Sequence, residues 1–390
     1  MQLRPSKTNY NLIQTGDELL EVNYDLYMSR LFSLAELDKT PLAGTFELTS
    51  RCSLDCKMCY IHKRENDDAA KKQELSAARW IELAEQAKNK GLLLLLLTGG
   101  EPLIREDFDE IYIACKNMGL LVSVNTNGML IDDKKIELFK KYPPQRINVT
   151  LYGTSADTYE SLCGNRYAFE KVITALKKLK DNNIPFKINY SITPLNVNDA
   201  ENAYKKAKEL GVPIQPVSYM FPPVRCSGEE FRLPPEKAAE IHFNWQKRHL
   251  GNEDFLKYLT DFREKRSYSG ECDECGEKIS CRAGIGSFWV TFDGRMLPCG
   301  MMTKPQTKIT DFDGAWKETT DARENIKLPL KCSECEYRKY CDICAAVSLA
   351  ETGSFNSIPE YACKKAREYK RLCTDFIKKM NFKFSGGNEK

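Results

Sequence analysis

Arg51-Cys52-Ser53-Leu54-Asp55-Cys56-Lys57-Met58-Cys59-Tyr60 places three cysteines in a C-x3-C-x2-C spacing. Three thiolates this close on one loop can cap three corners of a single cubic metal cluster, because each short spacer lets the chain fold back over the metal. A closed structural site would use four ligands. Three ligands leave one iron open, and an open iron implies a ligand from outside. A partial zinc knuckle is the competing reading of the same spacing, and the flanking sequence separates the two.

Working outward, Gly44–Leu48 is strand-like and feeds the three-cysteine loop. Helical periodicity follows at Ala77–Asn89, and the apolar run Leu92–Leu97 reads as a fully buried parallel strand. The alternation continues: helix Phe108–Asn117 with strand Leu121–Asn125, and helix Asp133–Lys141 with strand Arg146–Leu151. Helix Ala168–Asn182 leads to strand Phe186–Ile192, and helix Asp199–Leu210 to strand Ile214–Tyr219. Strands alternating with helices in this way predict an α/β fold, a partial (β/α)6 TIM-like barrel over 44–220, followed by a small Cys-rich domain. In such barrels the chemistry sits at the C-terminal strand ends.

The unusual residues fall at those ends. After the first strand come Cys52, Cys56 and Cys59; after the second, Thr98-Gly99-Gly100-Glu101-Pro102; after the third, Asn125-Thr126-Asn127-Gly128. Thr150, Tyr152 and Gly153 follow the fourth, and Thr193-Pro194-Leu195-Asn196 the fifth. Glycine lets backbone approach a ligand closely, and Glu101 offers a carboxylate to an ammonium group. Each ending taken singly is an ordinary turn; their alignment behind five strands is not.

Composition narrows the class. The 390 residues suffice for a large catalytic domain plus a smaller one, and 42% are hydrophobic, enough for a sizeable core. With 58 basic against 55 acidic residues the net charge is only +3, which points away from a nucleic-acid footprint or a polybasic membrane patch. The first residues, MQLRPSKTNY, lack an apolar signal core, and no apolar run approaches a membrane span. Sixteen cysteines in such a chain therefore predict reduced thiols binding metal clusters in the cytoplasm rather than a disulfide framework.

Residues 1–43 read as an N-terminal strap, with near-helical apolar intervals over Leu19–Leu37, and 221–270 as a helical linker. Residues 271–365 hold a second cysteine array, and 366–390 a terminal helix and tail. The array opens with Cys272, Cys275 and Cys281, continues with Cys299 after an Asp293-Gly294 hairpin turn, and then runs Cys332-x2-Cys335-x5-Cys341-x2-Cys344 to Cys363. Paired C-x2-C motifs are also a zinc-ribbon signature, so spacing alone leaves both metals open. Cys115 lies in a helical pattern and reads as a core residue; Cys163 and Cys373 read as incidental. His62, His242 and His249 are scattered, which leaves little basis for a hydrolytic triad or a two-histidine metal site.

With these motifs together, the sequence resembles the radical S-adenosylmethionine superfamily over 44–219. The resemblance implies a 4Fe–4S cluster on Cys52, Cys56 and Cys59, with S-adenosylmethionine as the outside ligand. Gly99, Gly100, Glu101 and Pro102 match the motif that holds the methionine ammonium. Asn125 and Thr150 lie at positions that contact ribose or carboxylate, Arg166 resembles an arginine that pairs with the carboxylate, and Leu195 an apolar neighbour of adenine. Met58 departs from the aromatic residue usual before the third cysteine, though a thioether also packs on adenine. The C-terminal array resembles the SPASM extension, which implies two auxiliary 4Fe–4S clusters. Carried over, Cys275, Cys281, Cys299 and Cys344 bind the first, and Cys332, Cys335, Cys341 and Cys363 the second. Two departures stand out: Cys341 and Cys344 are one residue closer than usual, and Cys272 is an extra thiol able to replace Cys275.

The family chemistry is reductive cleavage of S-adenosylmethionine to a 5′-deoxyadenosyl radical that abstracts hydrogen. Members with this extension resemble peptide and protein maturases, which implies a ribosomally made peptide as substrate and thioether, crosslink or other side-chain oxidation as outcome. Epimerisation, formylglycine formation and cofactor biosynthesis are the alternatives within the family, and a non-catalytic iron–sulfur electron-transfer or regulatory protein the alternative outside it. The resemblance further implies a low-potential electron donor such as flavodoxin or ferredoxin. A leader-binding winged helix does not fit in 43 residues, so either a separate leader-binding protein recognises the leader or the strap and linker do so directly. Cys226, just past the sixth strand, is the thiol placed to donate a hydrogen atom or contact substrate.

Overall fold

The computed structural model describes residues 10–15, 18–61, 63–226, 230–263, 272–273 and 276–385. Its framework is a nine-stranded sheet. Strands β1 (Ala43–Glu47), β2 (Leu94–Thr98), β3 (Leu121–Thr126), β4 (Arg146–Thr150), β5 (Phe186–Ser191) and β6 (Ile214–Val217) pair in parallel in sequence order. Three later strands, β7 (Ser287–Val290), β8 (Arg295–Leu297) and β9 (Thr307–Lys308), extend the sheet beyond β1: β7 pairs parallel with β1, β8 antiparallel with β7, and β9 antiparallel with β8. The Cys-rich segment thus shares the barrel's own sheet.

Helices cover one face: α1 (Ala77–Asn89), α2 (Phe108–Asn117), α3 (Asp133–Lys141), α4 (Ala156–Cys163), α5 (Ala168–Asp181) and α6 (Ala200–Leu210). Start signals are local. Ser76, Asp132 and Ser155 cap α1, α3 and α4 by accepting the backbone N–H three residues on, each contributing ~1 kcal/mol. Phe46, Leu95, Leu97, Val122, Val124, Ile147, Val149 and Ile188 point at these helices and are buried against Trp80, Leu83, Ile111, Phe139 and Val172. Cys115 is fully buried in this core.

The opposite face of the strands is different. Along β3 and β5 burial alternates strictly, and the residues off the core, Ser123, Asn125, Lys187, Asn189 and Ser191, are polar and half-buried. Leu94 and Leu96 are likewise half-buried, so the leucine run is a one-sided strand and not the doubly buried one expected. The physical reason is that the open barrel leaves its inner face as the wall of a cleft.

The strap also departs from its pattern. Glu18–Asn23 pairs antiparallel with Tyr10–Thr15, and the helix begins only at Tyr24, running to Leu37. Strand pairing claims the residues that a helical reading would have taken from Leu19 onward. Beyond the barrel, α7 (Pro235–Leu250) packs along α8 (Glu360–Ser385) around Phe243, Phe255, Tyr369 and Cys373. Among the described residues no helix is long and apolar enough to cross a membrane.

Candidate active site

The three-cysteine loop leaves the end of β1 and is clamped from below. Glu74 receives Arg51 Nε at 2.7 Å and Nη2 at 3.2 Å, and Arg105 Nη1 at 3.3 Å. Arg105 also donates to the Leu48 and Leu75 carbonyls at 2.9 and 3.0 Å and pairs with Asp107 at 2.7 Å. Arg51, Glu74 and Arg105 are all nearly buried, so each charge depends on its partners for the solvation it has lost. This clamp carries no sequence motif.

From above, the turn after β2 lies directly on the loop. Gly100 N donates to Thr49 O at 2.8 Å and Glu101 N to Arg51 O at 2.9 Å. A Cβ on Gly99 would run into the Thr49 carbonyl, and one on Gly100 into that of Arg51; Gly99 also has φ +151. The paired glycines are therefore demanded by the loop itself, before any ligand is considered. Pro102 opens the short 3-10 turn that follows and is buried.

Glu101 is fully buried, and its carboxylate is occupied. Thr126 Oγ1 donates to both oxygens at 2.9 and 3.0 Å, Asn127 N to Oε2 at 2.6 Å, and Leu103 N to Oε1 at 3.1 Å. Burial pushes its pKa up to about 7, against the pull of these donors. As placed, the side chain locks the end of β2 to the end of β3.

Asn127 then reaches the cysteines: its Nδ2 lies 3.6 Å from Cys52 Sγ and 3.3 Å from Ser53 Oγ. Cys52 and Cys59 are half-buried and Cys56 is buried. Tyr152 hydrogen-bonds Cys56, and the Cys163 thiol lies against the same sulfur. Asp55 N and Lys57 N donate to the Cys163 and Leu162 carbonyls, both at 3.0 Å, pinning the loop to the C-terminus of α4. Cys163, expected to be incidental, is thus part of the loop's seat. Asn196 secures the next layer, donating to the Tyr152 and Ser191 carbonyls at 2.8 Å each.

The remaining expected contacts divide in two. Asn125, Thr150 and Leu195 lie on the cleft side, half-buried or exposed; Asn125 Oδ1 accepts from Asn148 Nδ2 at 2.7 Å, and Arg146 Nε donates to Asn148 Oδ1 at 3.0 Å. Lys187, next in this row, hydrogen-bonds Gln215, and burial lowers its pKa to about 8, with Arg146 adding to the effect. Arg166 is exposed and engaged with Asp157 at 2.6 Å and Glu160 at 2.9 Å, on the outside of α4. Met58 is half-buried against the main core. Cys226 Sγ donates to the Cys59 carbonyl at 3.3 Å, bringing the sixth-strand linker onto the cysteine loop.

In the C-terminal array, Cys332, Cys335, Cys341 and Cys363 line one cavity of about 50 Å³, flanked by Arg338 and Arg367. Burial raises the thiol pKa of Cys299 and of Cys344; the nearby Cys344 and Cys281 add to the effect at Cys299, and Cys281 adds to it at Cys344. Cys275 lies outside the described residues, and Cys272 is described in backbone only, pairing Glu277 in a short hairpin. Among the described residues, no three His, Cys, Asp or Glu converge as one metal ion would require; thiolates on a cubic cluster each bind a separate iron and stand wider apart. The described cysteines are thiols rather than disulfides. His242 sits beside Asp342 and Tyr369, His249 stacks on Trp245, and His62 lies outside the described residues.

Residues 46–218, which span the cysteine loop and the strands behind it, match the radical SAM superfamily. Residues 46–218 therefore carry a radical SAM domain and the protein is an enzyme; a domain of this kind implies S-adenosylmethionine and a 4Fe–4S cluster. It is 26% identical over 336 residues to the AdoMet-dependent heme synthase of Methanosarcina barkeri (strain Fusaro / DSM 804), covering 82% of this chain and 95% of the relative. The enzyme of the same name from Oleidesulfovibrio alaskensis is 24% identical over 328 residues, covering 79% and 84%. Among solved structures, Streptococcus suis SuiB bound to precursor peptide SuiA aligns with TM-score 0.62 at 18% identity, covering 92% of this chain and 84% of that one. Native anSMEcpe with bound AdoMet aligns with TM-score 0.66 at 19% identity, covering 87% and 99%. At these identities the structures establish the fold.

Proposed function

We propose that the enzyme oxidises a peptide or protein side chain, beginning with hydrogen abstraction by a 5′-deoxyadenosyl radical. When bound, the cofactors supply radical generation at the open iron and one-electron acceptors in the C-terminal segment. The observation that carries the oxidative reading is the four-thiol cavity of Cys332, Cys335, Cys341 and Cys363, a closed ligand set unlike the open trio of Cys52, Cys56 and Cys59. Cys281, Cys299 and Cys344, with Cys275 or Cys272, supply a second closed set. The chain's own residues bind and orient: the glycine turn offers backbone carbonyls to an ammonium, the Glu101 carboxylate being already engaged. Asn125 and Thr150 face the cleft where ribose or carboxylate would lie, and Leu195 offers an apolar surface to adenine. SuiB bound to its precursor peptide supports a peptide in that cleft.

A carboxylate-bearing small molecule is the second reading. It is favoured by the near full-length similarity to heme synthases and by Lys187, a half-buried cation in the cleft with no carboxylate within ion-pair distance among the described residues. Anaerobic reconstitution tests the common core. About twelve irons per chain are expected for three clusters, and a few irons with bound zinc would refute the auxiliary clusters. Incubation with S-adenosylmethionine and a short peptide encoded beside the gene then tests the substrate. One deoxyadenosine per peptide two hydrogens lighter is expected; solvent deuterium at an α-carbon without mass loss would make the enzyme an epimerase instead.

A further inference from the structure

Glu47 closes β1 and is fully buried, yet no cysteine motif or strand-end motif includes it. Its carboxylate holds Arg225 through two hydrogen bonds of 2.9 and 2.6 Å and accepts Trp289 Nε1 at 3.0 Å. Arg225 is fixed a second time toward the radical loop. Its backbone N donates to the Tyr60 carbonyl at 3.2 Å, its guanidinium lies 5.2 Å from the centre of the Tyr60 ring, and the adjoining Cys226 bonds the Cys59 carbonyl. On the other side, Trp289 seats the C-terminal array: a Cβ on Gly300 would run into its indole, so the loop carrying Cys299 packs flat upon it.

One buried ion pair therefore touches the residue after Cys59 and, through Trp289, the residue after Cys299. Desolvating a carboxylate and a guanidinium is costly, and apolar residues of the same size would pack these loops at least as stably. A charge kept between two cysteine loops acts most directly on the electrons those loops hold. A fixed positive charge near a cluster favours its reduced, more negative state.

We propose that Arg225, held by Glu47 and Trp289, is a positioning residue whose fixed charge sets the reduction potential of the cluster on the Cys299 side and couples it to the radical loop. This rests on reading Cys281, Cys299 and Cys344 as cluster ligands. The test is an anaerobic redox titration of the reconstituted holoenzyme followed by electron paramagnetic resonance. The signal of the radical cluster is identified by its response to added S-adenosylmethionine, and the remaining signals are followed. Arg225→Met is expected to shift one of them to lower potential and Glu47→Gln to shift the same one higher, because the two variants change the local charge in opposite senses. Arg225→Lys keeps the charge and is expected to stay near wild type. The double variant Glu47→Gln/Arg225→Met removes both charges without leaving either unpaired, and guards against simple misfolding. Equal potentials in the wild type and all four variants at full iron content, or shifts of one sign only, would overturn the inference alone. Iron near four per chain would instead remove the Cys299 cluster, and the inference with it.

Discussion

On the proposed reading of the cysteine loop, Asn127 acts on an electron carrier without binding it. Its amide points at Cys52 Sγ, and a hydrogen bond to a ligating sulfur stabilises the reduced cluster. Asn127→Ala is expected to lower the potential of the radical cluster while leaving its iron content intact, read by the same kind of redox titration. Glu101 makes a prediction about pH. Its folded pKa is raised from 4.5 to about 7, so the folded protein binds the proton more tightly than the unfolded chain. That contribution is fully present below about pH 4.5 and is lost as pH rises through 7, by ~3 kcal/mol in total. In chemical denaturation of cluster-free protein, Glu101→Gln should lose less stability than wild type across that window. Parallel curves for the two proteins would contradict the assignment.

At the scale of elements, the cysteine loop is held between the Glu74 clamp and the glycine turn. Glu74→Ala leaves Arg51 and Arg105 without their shared counter-charge, and breaking such a buried pair costs ~3–5 kcal/mol. Urea unfolding measures it; a loss under about 1 kcal/mol would mean that water replaces the carboxylate. Gly100→Ala puts a methyl group against the Arg51 carbonyl, so the loop must shift and the chain should retain fewer irons in the radical site. The helices of the barrel were legible at this scale. Ala77–Asn89, Phe108–Asn117 and Asp133–Lys141 run as their periodicity indicates, because that signal is local. The strand ends drifted by one or two residues, and α4 went unread because its apolar face is only Tyr159, Leu162 and Cys163.

For the molecule as a whole, the sheet carries the radical loop on β1 and the C-terminal array beside it on β7, with the polar cleft in front. Lys187 is the element of that cleft that separates the two substrate readings. If the substrate carries a carboxylate into the cleft, Lys187→Met should raise KM about tenfold or more, the effect of losing one charge-assisted hydrogen bond. Deoxyadenosine release without substrate should be unchanged. An unaltered KM would favour a substrate held by backbone contacts.

The sequence by itself determined the cysteine motifs, their spacing and the alternation of strand and helix, because residue chemistry and hydrophobic period are properties of short segments. It could name Cys52, Cys56 and Cys59, and it could count the cysteines of the second array. Tertiary structure decided what surrounds them. Asn127 rather than Asn125 reaches the cysteines, since the chain leaves the strand's alternation after Thr126. Cys163 seats against Cys56 across more than a hundred residues, and Arg225 joins Glu47 from the far end of the barrel. These pairings depend on which loops the open, curved sheet brings together, and no local pattern encodes a contact between segments that meet only after packing.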